Sequence, residues 1–203
     1  MKRVFIHHDM PFTLPLLLQQ MLLVLVSGVA YWGAYRLNTL TDDWSLYDQG
    51  INLIFFPAGI KHLAILLARG WGALGCGLAL LVLSFEFWQG ASPLQLLGYS
   101  VVSTLATWLG VVLSLRAFEV RNDLSNLRFW HLPIMDIITT GLHAVLVNFF
   151  FVLAAMKSEH WISNVLAMML GDYIGSLITL MGLWAVILLG KRLRRLSDQE
   201  AGP

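Results

Sequence analysis

The fold class of this chain is decided by residues 51–87, which read INLIFFPAGIKHLAILLARGWGALGCGLALLVLSFEF. The segment holds two apolar runs, 51–68 and 71–87, which Arg69 and Gly70 separate. A helix of about 20 apolar residues crosses a hydrocarbon core of about 30 Å. The segment therefore predicts two membrane-spanning helices joined by a tight turn.

Further apolar runs of similar length lie on both sides of this segment, at 12–34, 94–115, 134–155 and 162–189. Hydrophobic residues make up 58% of the chain and charged residues 12%, against about 25% charged in a soluble domain. The sequence thus predicts one all-α polytopic membrane domain over 1–203. It is a bundle of about six transmembrane helices in a lipid bilayer, followed by a short basic tail at 190–203.

The distribution of positive charge predicts the orientation of this bundle. If the chain starts inside, the inner segments collect ten of the 13 Lys and Arg residues; Arg36 and Lys157 lie outside, and Lys61 lies within a span. Inner loops of membrane proteins carry such an excess of positive charge. Both termini are therefore expected inside, with the basic cluster 191–195 directly after the last span. The net charge of +1 gives no reason to expect a nucleic-acid partner.

The second predicted span is irregular, because Pro57-Ala58-Gly59 interrupts its apolar run. Proline removes a backbone donor and clashes with the preceding turn, so we expect the second helix to be kinked or broken at Pro57. A broken backbone at membrane depth is tolerated where protein or water covers it. The segment is therefore a candidate lining of a cavity, and a kink with a purely structural role is the alternative.

Ionisable side chains within the spans are the main candidates for function. Lys61, His62 and Asp172 lie several residues from any predicted helix end, where a charge is costly and needs a partner. Lys61 is the lysine placed to neutralise Asp172, so we predict a Lys61–Asp172 contact. Gly171 and Gly175 flank that carboxylate at a spacing that lets another backbone approach closely.

The fifth span carries a polar stripe, formed by Asp136, Thr139, Thr140 and His143 at i, i+3, i+4 and i+7. This spacing places the four side chains on one helical face, which is expected to point into the bundle. The stripe either lines a ligand or proton path or forms hydrogen bonds to a neighbouring helix. Asp136 is close enough to the predicted helix end to be interfacial.

No catalytic constellation is evident in the sequence. The six histidines form no HExxH motif, and we find no Ser/His or paired-Asp arrangement, P-loop or dinucleotide fingerprint. The single cysteine, Cys76, excludes an intramolecular disulfide. His7-His8-Asp9 is a weak metal-binding pattern. We therefore expect no enzymatic activity, no cofactor and no metal site.

Two stretches resemble a known family. Phe56-Pro57-Ala58-Gly59-Ile60, continued by Arg69-Gly70-Trp71-Gly72-Ala73-Leu74-Gly75, and later Gly171-Asp172-Tyr173-Ile174-Gly175-Ser176, are similar to motifs of MASE1-type bacterial sensor domains. The resemblance implies a multi-pass module of the bacterial inner (cytoplasmic) membrane, usually coupled to an output such as a diguanylate cyclase or histidine kinase. The chain departs from that pattern because it ends shortly after its last span and has fewer spans. It is therefore expected to be a stand-alone module.

Three functions remain open at this point. The leading hypothesis is a sensory or ligand-binding module with an unknown small-molecule ligand, which passes a signal to a separate partner. Its pocket would be formed by Pro57, Gly59, Lys61, His62 and Asp172. The alternatives are a small-solute carrier or the substrate-binding subunit of a transporter, and an accessory or scaffold subunit of a membrane complex.

Overall fold

A computed structural model describes residues 14–156 and 160–200, which form a helical bundle. Its long helices are α1 (Leu14–Asn38), α3 (Phe56–Phe87), α4 (Pro93–Ala117), α5 (His131–Leu153) and α6 (Trp161–Glu200). Between α1 and α3 lie a 3-10 turn (Thr39–Thr41), α2 (Asp42–Ser45) and the strands β1 (Leu46–Asp48) and β2 (Ile51–Asn52). The two strands pair antiparallel, with Leu46 opposite Asn52.

Among the described residues, five helical segments are long and apolar enough to cross a membrane: Leu14–Ser45, Phe56–Phe87, Pro93–Ala117, His131–Leu153 and Trp161–Gly190. The prediction of an all-α, multi-pass membrane protein is thereby confirmed. The start of the first predicted span, the His7-His8-Asp9 pattern, Lys157 and the end of the tail lie outside the described residues. The helix α6 continues through most of the segment that was predicted as a tail.

The helix α3 folds back on itself at Arg69, whose φ of 56° and ψ of −130° are not helical. A Cβ placed on Gly72 would overlap the carbonyl oxygen of Ala64. Residues eight apart in a straight helix are separated by about 12 Å, so this contact requires a reversal. Residues 56–68 and 70–87 are therefore two arms of a helical hairpin, which we call the first and second arm. The turn expected at Arg69 and Gly70 is present.

The second predicted span is broken, but not as expected. Residues 51–55 are extended or irregular, and the first arm begins at Phe56 with Pro57 in its first turn. Proline is well tolerated there because the first turn of a helix makes no use of its N–H groups. The prediction of a helix that runs through 51–56 and breaks at Pro57 is therefore wrong. The break precedes the proline.

Helix α6 covers this extended segment, residues 51–55. The Phe55 N–H donates to the carbonyl oxygen of Gly171 at 3.0 Å, and the Phe56 N–H donates to Asn38 Oδ1 at 2.8 Å. Gly171 lies ten residues along α6 from Trp161, a distance of about 15 Å. The first arm therefore begins beside α6 at about 15 Å from the start of that helix, which is half the thickness of a hydrocarbon core of about 30 Å.

Glycines allow this close packing of backbone on backbone. A Cβ on Gly171 would overlap the carbonyl oxygen of Asn52, and a Cβ on Gly175 would overlap that of Phe55. On the facing helix, a Cβ on Gly59 would lie 2.8 Å from the Cα of Ser176. The expectation that Gly171 and Gly175 admit another backbone is confirmed. These two glycines of α6 admit the extended segment, and Gly59 lets the first arm approach α6.

We expect Gly171→Ala or Gly175→Ala to destabilise the protein, because the added methyl meets a backbone oxygen that cannot move away. Overpacking of this kind costs about 1–3 kcal/mol, and more where backbone must shift. The loss is measured by thermal unfolding in detergent, with chemical labelling of the fully buried Cys76 as the signal of unfolding.

Gly182→Ala is the matched control, because it lies on the same helix with no atom within 4 Å of the added Cβ. An equal effect of all three substitutions would contradict the proposed packing and would point to a general effect on α6.

Candidate functional site

Five ionisable side chains meet in the centre of the bundle. Lys61 and His62 come from the first arm of α3, Asp136 and His143 from α5, and Asp172 from α6. All five are buried, with exposed fractions between 0 and 6%. Each of these residues was a candidate in the sequence analysis, and the structure brings them together as two hydrogen-bonded groups.

The first group is a chain of contacts from Lys61 to Asp172. The Lys61 ammonium nitrogen lies 3.0 Å from Ser103 Oγ and 3.2 Å from His143 Nε2. Ser103 Oγ is itself 2.9 Å from His143 Nε2, and His143 Nδ1 is 2.6 Å from Asp172 Oδ2. His143 therefore bridges the lysine and the carboxylate, and we call this group the Lys61–Asp172 chain.

The predicted direct contact between Lys61 and Asp172 is wrong, since no ion pair joins these two residues. The reason is the position of α5, which inserts the imidazole of His143 between the two charges. The ammonium group reaches a ring nitrogen and a hydroxyl instead of the carboxylate. The two charges remain in one network, but their interaction passes through His143.

The second group is the pair of His62 and Asp136, in which His62 Nδ1 lies 2.7 Å from Asp136 Oδ1. Asp136 is completely buried within the bundle, so its side chain is not exposed at the helix end. Helix α5 begins at His131, which places Asp136 a full turn inside the helix. The hydroxyl of Ser176 lies beside this carboxylate. The Nε2 atom of His62 has no hydrogen-bond partner among the described residues.

The polar stripe of α5 points into the bundle, because all four of its side chains are buried. Thr140 donates to the carbonyl oxygen of Asp136 at 2.8 Å, whereas the hydroxyl of Thr139 has no partner. A Cβ added to Gly110 would lie only 2.7 Å from the Cα of Thr139. The two ionisable members thus belong to the charged groups, while Thr139 marks the close approach of α4 and α5.

Two members of the predicted pocket have no polar side chain and act through the backbone. Pro57 starts the first arm and Gly59 brings it against α6, and both are buried. Together they bring Lys61 and His62 close to the ionisable side chains of α5 and α6. Among the described residues, no group of three or more His, Cys, Asp or Glu side chains is arranged to hold a metal ion.

Ser103 was not identified from the sequence, and its contacts contradict the statement that no Ser/His arrangement exists. Ser103, His143 and Asp172 follow one another in the order found in serine hydrolases. The signal was a stripe of hydroxyls on α4 at i, i+3, i+4 and i+7, formed by Ser100, Ser103, Thr104 and Thr107. All four side chains are buried.

The surroundings of Ser103 favour a hydrogen-bond relay over acyl transfer. Acyl transfer needs N–H donors for an oxyanion and space for a carbonyl beside the hydroxyl. Ser103 lies in the middle of α4, where backbone N–H groups are used by the helix, and it is 1% exposed. The ammonium nitrogen of Lys61 lies 3.0 Å from the hydroxyl oxygen of Ser103. This arrangement can hold and redistribute protons and charge.

Comparison with known proteins adds no relative, since no family model, curated protein or solved structure matches the chain. The MASE1-type resemblance therefore stays a prediction. The function has to be inferred from the geometry of the buried groups.

We expect His143→Leu to be strongly destabilising, because it leaves Lys61 and Asp172 buried without the group that joins them. Loss of one partner from a buried charged network typically costs about 3–5 kcal/mol. Thr139→Val on the same face of α5 is the matched control, since it removes a hydroxyl that has no partner and should change stability little. Thermal unfolding in detergent measures both.

Exchange of the two charges, Lys61→Asp combined with Asp172→Lys, distinguishes a bridged contact from a direct one. Each single variant changes the net charge of the core by two, whereas the double variant keeps it, so we expect the double variant to be more stable than either single variant. Because His143 stands between the two groups, we expect it to remain less stable than the wild type. Recovery to the stability of the wild type would show a direct pair and contradict the bridge.

Proposed function

We propose that the protein is a MASE1-like sensory module of the bacterial inner membrane. In this proposal a small ligand binds at the buried polar groups, and a separate protein receives the signal. The observation that carries it is the continuity of α6, which contributes Asp172 to the Lys61–Asp172 chain and runs without interruption to Glu200. A change at the carboxylate is thereby linked through one rigid element to the basic end of the helix.

The energetic cost of the buried groups supports a functional role. A charged side chain at the centre of a bilayer costs about 2.5–3.5 kcal/mol on insertion scales, and such residues usually mark a ligand, ion or proton site. Apolar residues of similar volume would often pack as well as a buried ion pair, or better. A bundle built for packing alone would therefore gain from losing these charges.

The orientation that we propose has six crossings with both ends inside. The two arms of α3 count as separate crossings, since they run in opposite directions from Arg69. This arrangement places Arg69, Arg116, Arg121 and Arg128 on the same side as the basic cluster 191–195, in agreement with the excess of positive charge on inner loops.

The first arm supplies the movable part of the proposed mechanism. It starts in mid-membrane after an extended segment, so no helical hydrogen bonds tie it to the outer half of the span. At its inner end, Arg69 donates to the carbonyl oxygen of Asn122 in the loop between α4 and α5 at 3.1 Å. A ligand that competes for Lys61 would shift the arm against α6, as in hinge and shear transitions. The shift would then reach both the inner loop and α6.

A small-solute carrier is the second candidate, and one observation favours it. Carriers often bind substrate where a membrane helix is discontinuous near the middle of the bilayer, as the second span is here. Their alternating access requires the site to open to each side in turn. Because the five ionisable side chains are all closed off from the surface, the described conformation would be an occluded one.

We expect signalling to be detectable at the inner end of α6. A photo-crosslinking residue in place of the exposed Arg192 should form an adduct with a protein partner in native membranes, and Asp172→Asn should change the yield. The physical reason is that Asp172 and Arg192 lie on one continuous helix. The same probe at the exposed Leu94, which lies at the other end of the bundle, is the control.

An adduct whose yield is the same in the wild type and in a folded Asp172→Asn variant would contradict the sensory proposal. Accumulation of a radiolabelled solute that is lost in this variant would support the carrier instead.

A further inference from the structure

We infer that His62 and Asp136 form a proton-binding site, which faces a water-sized cavity and is separate from the Lys61–Asp172 chain. The inference concerns the isolated protein and does not rest on the sensory role. It follows from the balance of charge in the core, from the hydrogen-bond partners of the two histidines and from the position of the cavity.

The charges of the buried groups do not balance when both histidines are neutral. Lys61 contributes one positive charge, whereas Asp136 and Asp172 contribute two negative charges, which leaves a net charge of −1 in a core where these groups are at most 6% exposed. An uncompensated charge inside a bilayer is expensive. One further proton within the set removes it.

Hydrogen bonding places that proton away from His143. Its Nε2 atom lies within hydrogen-bond distance of two donors, the ammonium group of Lys61 and the hydroxyl of Ser103, and so acts as an acceptor. Its Nδ1 atom therefore carries the hydrogen and donates to Asp172. This histidine is neutral, and Lys61 balances Asp172 across it. The carboxylate left without a compensating charge is Asp136.

Asp136 has one close ionisable partner, the Nδ1 atom of His62 at 2.7 Å. The missing proton therefore belongs to this pair, either as an imidazolium beside a carboxylate or as an imidazole beside a carboxylic acid. In the first form, the Nε2 atom of His62 also carries a hydrogen and needs an acceptor. It has no partner among the described protein atoms.

A small cavity supplies the place for that acceptor. His62 and Ser176 line it, together with Leu66, Leu132 and Leu180. Its volume of about 10 Å³ is near the minimum for one water molecule. A water in this cavity would have two polar neighbours, the imidazole of His62 and the hydroxyl of Ser176. Leu132 lies at the inner end of α5, so the cavity is on the inner side of the pair.

The charged and titratable groups around the pair come from three helices. They are Lys61 on the first arm itself, His143 on α5 and Asp172 on α6, which also places the hydroxyl of Ser176 beside Asp136. The three ionisable groups are already joined in the Lys61–Asp172 chain. The pair is therefore the group of this core that is free to take up or release a proton.

The test measures how the thermal stability of the full chain in detergent depends on pH, with tryptophan fluorescence as the signal of unfolding. An unfolded histidine loses its proton near pH 6.5, whereas the folded pair retains one, so the folded state binds more protons above that pH. Stability then falls as the pH rises. We expect the Tm of the wild type to fall by several degrees between about pH 6.5 and pH 9. Asp136→Asn should remove most of that dependence.

His160→Gln is the control variant, because it removes an exposed histidine at the other end of the bundle and should keep the dependence of the wild type. An Asp136→Asn protein that keeps the full pH dependence would overturn the inference.

A measurement on the wild type covers the case in which Asp136→Asn does not fold. With histidine labelled by nitrogen-15, the ring signals that disappear in His62→Gln report the charge of His62, and infrared spectra report a protonated carboxyl. We expect either a doubly protonated His62 or a protonated Asp136 at about pH 8, well above the usual histidine pKa of about 6.5. A neutral His62 beside an ionised Asp136 would overturn the inference.

Discussion

The structure depends on one constraint, which is that polar groups at membrane depth must find their partners within the protein. The extended segment 51–55 meets it by lying against α6, where Phe55 donates to the carbonyl oxygen of Gly171. That contact requires glycines at 171 and 175, because any side chain there would meet the backbone of the segment. The interruption of the second span and the glycines of the last helix are therefore two parts of one solution.

The same close packing creates the charged core. Because Gly59 brings the first arm against Ser176, side chains on α3 and α6 share a narrow space that α5 closes. Lys61 and His62 are consecutive, yet they reach residues of α5 that are two turns apart. A helical side chain leans toward the N-terminus of its helix, so the long stem of Lys61 extends toward the start of the first arm and reaches His143, whereas the shorter His62 meets Asp136.

Much of the fold could be predicted from the sequence, because apolar run length and charge asymmetry are direct signals of membrane helices. The turn at Arg69, the inward stripe of α5 and the role of Gly171 follow from local patterns. The extended segment could not be predicted from a local pattern, because a short apolar run has the same composition in a helix and in an extended chain. The bridge through His143 and the part played by Ser103 depend on how each helix is rotated about its axis. Residue counts estimate the depth of a side chain and leave the relative rotation of neighbouring helices open.

The two buried groups are mechanically linked, because their α3 members are neighbours on one short helix. A displacement of the first arm along α5 that lengthens the contact of Lys61 with His143 also changes the contact of His62 with Asp136. Protonation of the pair and binding at the Lys61–Asp172 chain would then influence each other by the same amount in both directions, as any two linked equilibria must. Binding at one group would for this reason also respond to protonation at the other.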